Sequence, residues 1–376
     1  MSLILAVTQR RQQEMIQTLE QLVMLESPSG EPQAVNRVAD YMAEAFQRLG
    51  AEVERMPQAG FGDHLRVGWG RGDDQVLLLG HMDTVWPLGE TQRRPFQSEG
   101  SRATGPGTFD MKGGLVIGLN AVAALQELGL TPRHRLVFLL NSDEEVGSPS
   151  SRPFIEAEAR RSKVALVLEP SRQGALVTWR KGVGRFALEI QGKASHSGAA
   201  HERGVSAVQE LAHQILRLEA MTDYGQGTTV NVGVARGGSA VNVRPACATA
   251  SIDLRVTQAD QAGRAARAIL DLQPVNPQTT VTVSGGINRP PWEVEPQGEA
   301  LFERARAVGE RLGLELWPAG SGGGSDGNFT AALGVPTLDG LGVLGDDAHA
   351  LSEWVDLASL PLRTALLAEL LIDLES

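Results

Sequence analysis

Three short, uninterrupted apolar runs, each ending in side chains able to hold a metal, constrain this chain more than any other feature. "LLLG" runs into His81 and Asp83, "LVFLLNSDEE" into Asp143, Glu144 and Glu145, and "VALVLEPS" into Glu169. A strand that is apolar on both sides is buried on both faces, the condition of a mostly parallel sheet covered by helices. The intervening sequence supplies those helices. Helical spacing runs from about Arg11 to Leu25, then through "EPQAVNRVADYMAEAFQRLG" to a stop at Gly50, from Gly113 to about Leu130, and near Pro153 to Arg161. The first part of the chain therefore reads as an α/β domain.

After Lys181 the texture changes. "GRFALEIQG", "TTVNVGVARGG", "CATASIDLRV" and "TTVTVSGG" alternate apolar with polar, with helices at about 204–218 and 258–272. Two-sided strands of this kind suit an open antiparallel sheet with helices on one side. Past Arg289 long helices, Gly-rich turns and short apolar strands return. A chain of 376 residues is long for one core, and two domains are the natural division. The boundaries predicted are 1–181 with 289–376 for the larger α/β domain, and 182–288 for an inserted α+β domain.

In open α/β sheets, ligands bind at the carboxyl ends of the strands. An isolated strand-end carboxylate is ordinarily just solvated, but three strands repeating the pattern argue that these side chains converge. Asp110, in the Gly-rich turn "GPGTFDMKGG" before a helix, reads alone as an acidic residue at a helix N-terminus. With His81 upstream and the glutamate pair downstream, it becomes a candidate metal bridge. Imidazole with carboxylates suits zinc. Of two adjacent glutamates, one can bind metal while the other serves as general base. Asp83 is placed to orient the His81 imidazole.

Composition narrows the partners. A net charge of -11 and a pI near 5.2 argue against nucleic acid. No apolar run reads as long enough to span a bilayer, and the first residues do not read as a secretory signal. The single cysteine, Cys247, cannot close an internal disulfide, which leaves the cytoplasm as the expected compartment.

In order and approximate spacing, "HMDTV", "GPGTFDMKGG", "SDEEVGS", "LEPS", "GKASHSGA" and "DDAHALSEW" resemble the motifs of the di-zinc exopeptidases and deacylases. That family includes aminoacylases, acetylornithine and succinyl-diaminopimelate deacylases and glutamate carboxypeptidases of the carboxypeptidase G type. "GHMDTV", "KASHSGAA" and "GGGSDGN" look most similar to the last group. The resemblance implies two Zn2+ per subunit, with Co2+ or Mn2+ able to take the same ligands. Asp110 would bridge them, His81 and Glu169 would complete one site, and Glu145 and His349 the other. Glu144 would be the general base and Asp83 the carboxylate behind His81. A cis peptide would follow Asp110.

The resemblance further implies a homodimer through the inserted domain, in which His196 reaches the partner's site and stabilises the tetrahedral intermediate. Arg289, Asn242 and the turn containing Ser321 and Gly324 would surround the substrate carboxylate, since a guanidinium fork and Gly-rich amides suit that group. Arg255 in "IDLRV" is a further candidate anion contact, and Arg180 with Lys181 are candidates to favour an acidic substrate side chain; the sequence leaves open whether any of the three meets substrate. The expected reaction is hydrolysis of the amide bond to a C-terminal amino acid of a small peptide or N-acyl amino acid. An N-acyl-amino-acid deacylase, a dipeptidase and an inactive amino-acid-binding protein are the alternatives.

Overall fold

The computed structural model describes residues 2–171 and 173–374. The chain divides into two compact units. One comprises Met1–Trp179, Val294–Gly320 and Ser325–Ser376, and the other Arg180–Glu293 with Ser321–Gly324.

In the first unit the three apolar runs lie side by side. Strand Gln75–His81 is flanked in parallel by Arg135–Asn141 and Ser162–Val167, with Leu79 opposite both Leu139 and Val167. Alternate side chains enter two different cores: Val76, Leu78, Phe138 and Leu166 on one face, Leu77, Leu79, Leu139 and Val167 on the other. Double-sided burial is the physical reason for the unbroken apolar runs. The register brings the three carboxyl ends level, since His81 sits opposite Asn141 and Leu168 N–H donates to Leu79.

The six-stranded sheet is completed by Thr337–Leu338, parallel, at one edge. At the other edge, His64–Trp69 and Glu52–Met56 run antiparallel and were not distinguished in the sequence. The N-terminal region holds a helix, Leu3–Arg10, that was also not foreseen, followed by Gln12–Met24 and Pro32–Arg48.

Thr108–Glu127 corrects the membrane reading: by length and composition alone it is apolar enough to cross a bilayer. Yet 94% of that window is buried in the protein. Its helical part, Gly113–Glu127, is a core helix packed on strand Gln75–His81 and on helix Ser359–Asp373. Glycine makes the packing possible, because a Cβ at Gly114 would lie 2.0 Å from the Leu168 carbonyl oxygen.

A small antiparallel sheet, Gly345–Asp346, Trp354–Asp356, Arg102–Thr104 and Gln97–Glu99, belongs to the same unit. The second unit holds a four-stranded antiparallel sheet in the order Thr229–Gly237, Cys247–Val256, Gly182–Gln191, Thr280–Arg289. Leu188, Ile190, Ile252 and Leu254 point into its core with Leu211 and Leu218 of helix Ala207–Glu219 and Ile269 of helix Ala259–Leu270. The opposite side chains of these strands are exposed, as alternation requires.

Candidate metal and catalytic site

The carboxyl ends of the three parallel strands meet the turn carrying Asp110 and the hairpin carrying His349. His81 Nε2 lies 3.1 Å from Asp110 Oδ1 and 3.6 Å from Glu169 Oε1. His349 Nε2 lies 3.2 Å from Asp110 Oδ2 and 3.1 Å from Glu145 Oε2. Asp110 thus offers one oxygen to each of two triads, His81/Asp110/Glu169 and Asp110/Glu145/His349. Within each triad the potential ligand atoms all fall within 4.8 Å of one another. The peptide after Asp110 is cis.

Charge in this cluster is unbalanced. Burial and the neighbouring Asp110 charge push the Glu169 carboxyl well above its usual range. The same two causes raise Glu145 to about 7. Hydrogen bonds to Asp110 and Glu145 raise His349 to about 10. For His81, burial opposes the charged form, but Asp110 and Asp83 outweigh it and hold the imidazolium well above its ordinary value. Asp110, in turn, is kept below the usual carboxylate range because bonds from His349 and His81 overcome its burial. Glu145 Oε1 is buried and has no hydrogen-bond partner. An orphaned carboxylate oxygen in a carboxylate-rich cluster with two inward-facing imidazoles is a donor set that fits divalent cations.

Asp83 organises one side of the cluster. Its main-chain oxygen is 3.0 Å from His81 Nδ1, while its carboxylate Oδ1 is 3.4 Å away. That carboxylate also accepts from Ser29 Oγ at 2.6 Å and from the main-chain N–H of Glu144 and Glu145 at 3.2 Å each. It therefore fixes the imidazole and the glutamate turn together. Glu144 begins the short turn Glu144–Val146 next to Glu145.

Asp143, one of the strand-end carboxylates read as a possible ligand, is turned away from the metal triads. It accepts from the main-chain and hydroxyl groups of Ser150 and Ser151, and so anchors the turn instead. His64, not singled out in the sequence, backs the same turn. It is fully buried, its Nδ1 accepts from Ser142 N–H, and burial lowers its pKa against the pull of nearby carboxylates.

Glu353 was also overlooked, and it contacts the Asp110 turn directly. Its carboxylate accepts from the main-chain N–H of Gly107, Phe109 and Asp110 and from the Trp86 indole. Burial pushes this carboxyl up while the four donors pull against that rise. The only sequence signal was a carboxylate four residues past His349 in "HALSEW".

The remaining predicted site residues lie in the second unit. Arg180 and Arg289 are 8% and 4% exposed there. Arg180 donates to Ser321 Oγ and to the Gly323 carbonyl, and Lys181 N–H donates to the Ser321 carbonyl. Gly324 packs so closely on Arg289 that a Cβ would lie 2.5 Å from its Cδ. Arg255 pairs with Asp253 and donates to the Gly322 carbonyl. The Gly-rich turn is thus surrounded by three guanidinium groups. His196 lies on a separate two-stranded ribbon, opposite Val243, and Ser197 N–H donates to the carbonyl of the adjoining turn residue Asn242. His196 is exposed, and its Nδ1 accepts from the N–H groups of Gly198 and Ala199. The neutral ring consequently carries its proton on Nε2.

Two candidate ligand triads sharing one carboxylate at the open end of a parallel sheet fit a metal-dependent hydrolase. Residues 77–373 match the peptidase family M20/M25/M40, and the chain belongs to that family. It is 34% identical to carboxypeptidase G2 of Pseudomonas sp. (strain RS-16), covering 96% of this chain and 90% of that protein. It is 31% identical to the acetylornithine deacetylase of Pasteurella multocida (strain Pm70) over 59% of this chain and 62% of that protein. Its fold is similar to that of the aminopeptidase PepT from Bacillus cereus ATCC 10987, with a TM-score of 0.76, 22% identity, and coverage of 97% and 99% of the two chains.

Proposed function

We propose that the protein is a two-zinc carboxypeptidase that releases a C-terminal amino acid, glutamate by preference, from a small peptide or N-acyl amino acid. The observation that carries this reading is Asp110 with one oxygen toward each histidine triad. His81, Asp110 and Glu169 would hold one cation, and Asp110, Glu145 and His349 the other. Bound there, the cations supply Lewis acidity, acidifying water and polarising the scissile carbonyl.

The chain's own groups do the rest. Glu144 takes the proton from the attacking water and delivers it to the leaving nitrogen. Asp83 holds both the imidazole and the Glu144 main chain, so that base and ligand keep a fixed spacing. His196, protonated on Nε2, donates to the developing oxyanion in the site of a second copy of the chain. Arg289, Asn242 and the Ser321–Gly324 turn bind the free carboxylate. Arg180, with Lys181 and Arg255 as further cations, favours an acidic side chain on the leaving residue.

Residues 182–288 would serve as the dimerisation domain and 1–181 with 289–376 as the catalytic one. The exposed edge strand Thr229–Gly237 is suited to that contact. The cytoplasm is the setting we expect, and one exposed, unbridged cysteine is compatible with it.

Hydrolysis of one acyl group carried on glutamate, alanine and ornithine, with and without chelator, tests the reading. Glutamate is expected to give the highest kcat/KM, abolished by the chelator. Faster release from N-acetylornithine would move the protein to the deacylases, the alternative that the shorter match to acetylornithine deacetylase supports.

A further inference from the structure

We propose that Glu353 is a positioning residue that sets the distance between Asp110 and His349 and so governs uptake of the second metal. The proposal rests on the metal roles given above. Glu353 is fully buried and sits where three ligand-bearing segments meet. Its Oε1 accepts from Phe109 N–H at 2.9 Å and Asp110 N–H at 3.1 Å, which pins the backbone of the shared ligand. Its Oε2 accepts from Gly107 N–H at 3.0 Å and from Trp86 Nε1–H at 2.9 Å, on the segment that follows His81 and Asp83.

The third segment is its own. Ala350 N–H donates to the Asp347 carbonyl, closing the turn that contains His349; Glu353 N–H donates to the Ala350 carbonyl in the turn that follows, and Arg94 stacks over Trp86 while donating to the Leu351 carbonyl. Asp347 and His349 both adopt positive φ, 65° and 64°, so this loop depends on its anchors to keep its shape.

The chemistry admits only a carboxylate at this position. Each oxygen faces two N–H donors, so a glutamine in either orientation turns its own NH2 against two of them. The parallel strands fix His81 and the approach to Glu169 without Glu353, while Asp83 braces both His81 and the Glu145 main chain. The Asp110/Glu145/His349 triad depends on Glu353 for the spacing of Asp110 and His349.

Glu353→Gln tests this in the full-length protein by titrating the metal-free chain with Co2+, reading the visible absorption spectrum and two binding constants. One equivalent should bind within a few fold of the wild type. The other should weaken by about 10–100-fold with an altered spectrum, and high Co2+ should restore much of kcat. Two unchanged equivalents with an unchanged spectrum would overturn the positioning role while leaving the metal site intact. A wild-type chain taking up fewer than two equivalents would overturn the metal reading and this proposal with it. If Glu353→Gln does not fold, Trp86→Phe removes a single donor and should weaken the second equivalent several-fold; no change in that variant overturns the proposal.

Discussion

The two triads share Asp110 but stand on different foundations. His81 and Glu169 rise from adjacent parallel strands whose register is fixed by main-chain hydrogen bonds, and their side chains are 1% and 11% exposed. His349 projects from a hairpin between strands of two and three residues, and its side chain is 52% exposed. One half-site inherits its geometry from the sheet, whereas the other is assembled by side chains holding a loop. The buried half should therefore bind its cation more tightly and exchange it more slowly, and the exposed half should be the one that composition of the medium controls.

The strongest way to break the comparison is to remove what the halves share. Asp110→Ala should lose both metal equivalents and lower kcat/KM by more than about 10³-fold; metal analysis of the dialysed protein with an activity assay reads both. One retained equivalent would show that the halves are independent. Next in size, Glu144→Gln should lower kcat by about 10²–10⁴-fold and keep both equivalents, because the base is not a ligand in either half. Near wild-type turnover would remove Glu144 from the role of base. His349→Ala should then discriminate between the halves, keeping one tightly held equivalent that a weak chelator cannot strip. Loss of both would show that the buried half depends on the exposed one.

What was legible in the sequence follows the same division. The half built on the sheet could be read because strands buried on both faces must be apolar without interruption, and such runs mark their own ends. His81 and Glu169 were visible for that reason, as was Glu145, the one ligand of the other half that follows a parallel strand, and the alternating strand Gly182–Gln191 announced the open sheet of the second unit in the same way. The half built on loops could not be read so. Gly345–Asp346 and Trp354–Asp356 are too short to show any periodicity, and His349 emerged only through resemblance to a family. Glu353 and Ser29 remained hidden because their function lies in contacts to distant segments, 243 and 54 residues away in the chain. Asp143 misled in the opposite sense: at a strand end beside two glutamates it looked like a ligand, but serine donors four-fold satisfy it.

Protons sharpen the comparison with a smaller signal. In the metal-free protein His349 is raised to about 10. A raised histidine stabilises the fold fully below its unfolded value of about 6.5, and that contribution is lost as pH rises through about 10. Near pH 8, above the value of about 7 for Glu145, the carboxylate is ionised and the imidazole still charged. His81 has an acceptor at each ring nitrogen, the Asp83 carbonyl at Nδ1 and Asp110 Oδ1 at Nε2, an arrangement that suits a doubly protonated ring. Loading both halves at pH 8 should therefore release about one proton from each histidine, in addition to any carried by the raised Glu169 carboxyl. Calorimetric titration in buffers of different ionisation enthalpy measures the number, and His349→Ala should reduce it by one. Zero release in the wild type would contradict the charge state derived from the geometry.

The smallest expected effect concerns Ser29, which reaches the buried half from outside the sheet. Its hydroxyl donates to Asp83 Oδ2 at 2.6 Å, and both residues are at most 5% exposed. Ser29→Ala removes one donor from a buried carboxylate that keeps the N–H groups of Glu144 and Glu145. Because partners remain on both oxygens, the carboxylate is weakened but not orphaned, and the loss should be about 1–2 kcal/mol of stability. Thermal unfolding of the metal-free chain would register it as a modest fall in Tm. Affinity for both cations should stay within a few fold, since the parallel strands, not Ser29, set the spacing of His81 and Glu169. A large loss of the tight equivalent in this variant would mean that the buried half, too, is held together by its loops, and the contrast between the two halves would disappear.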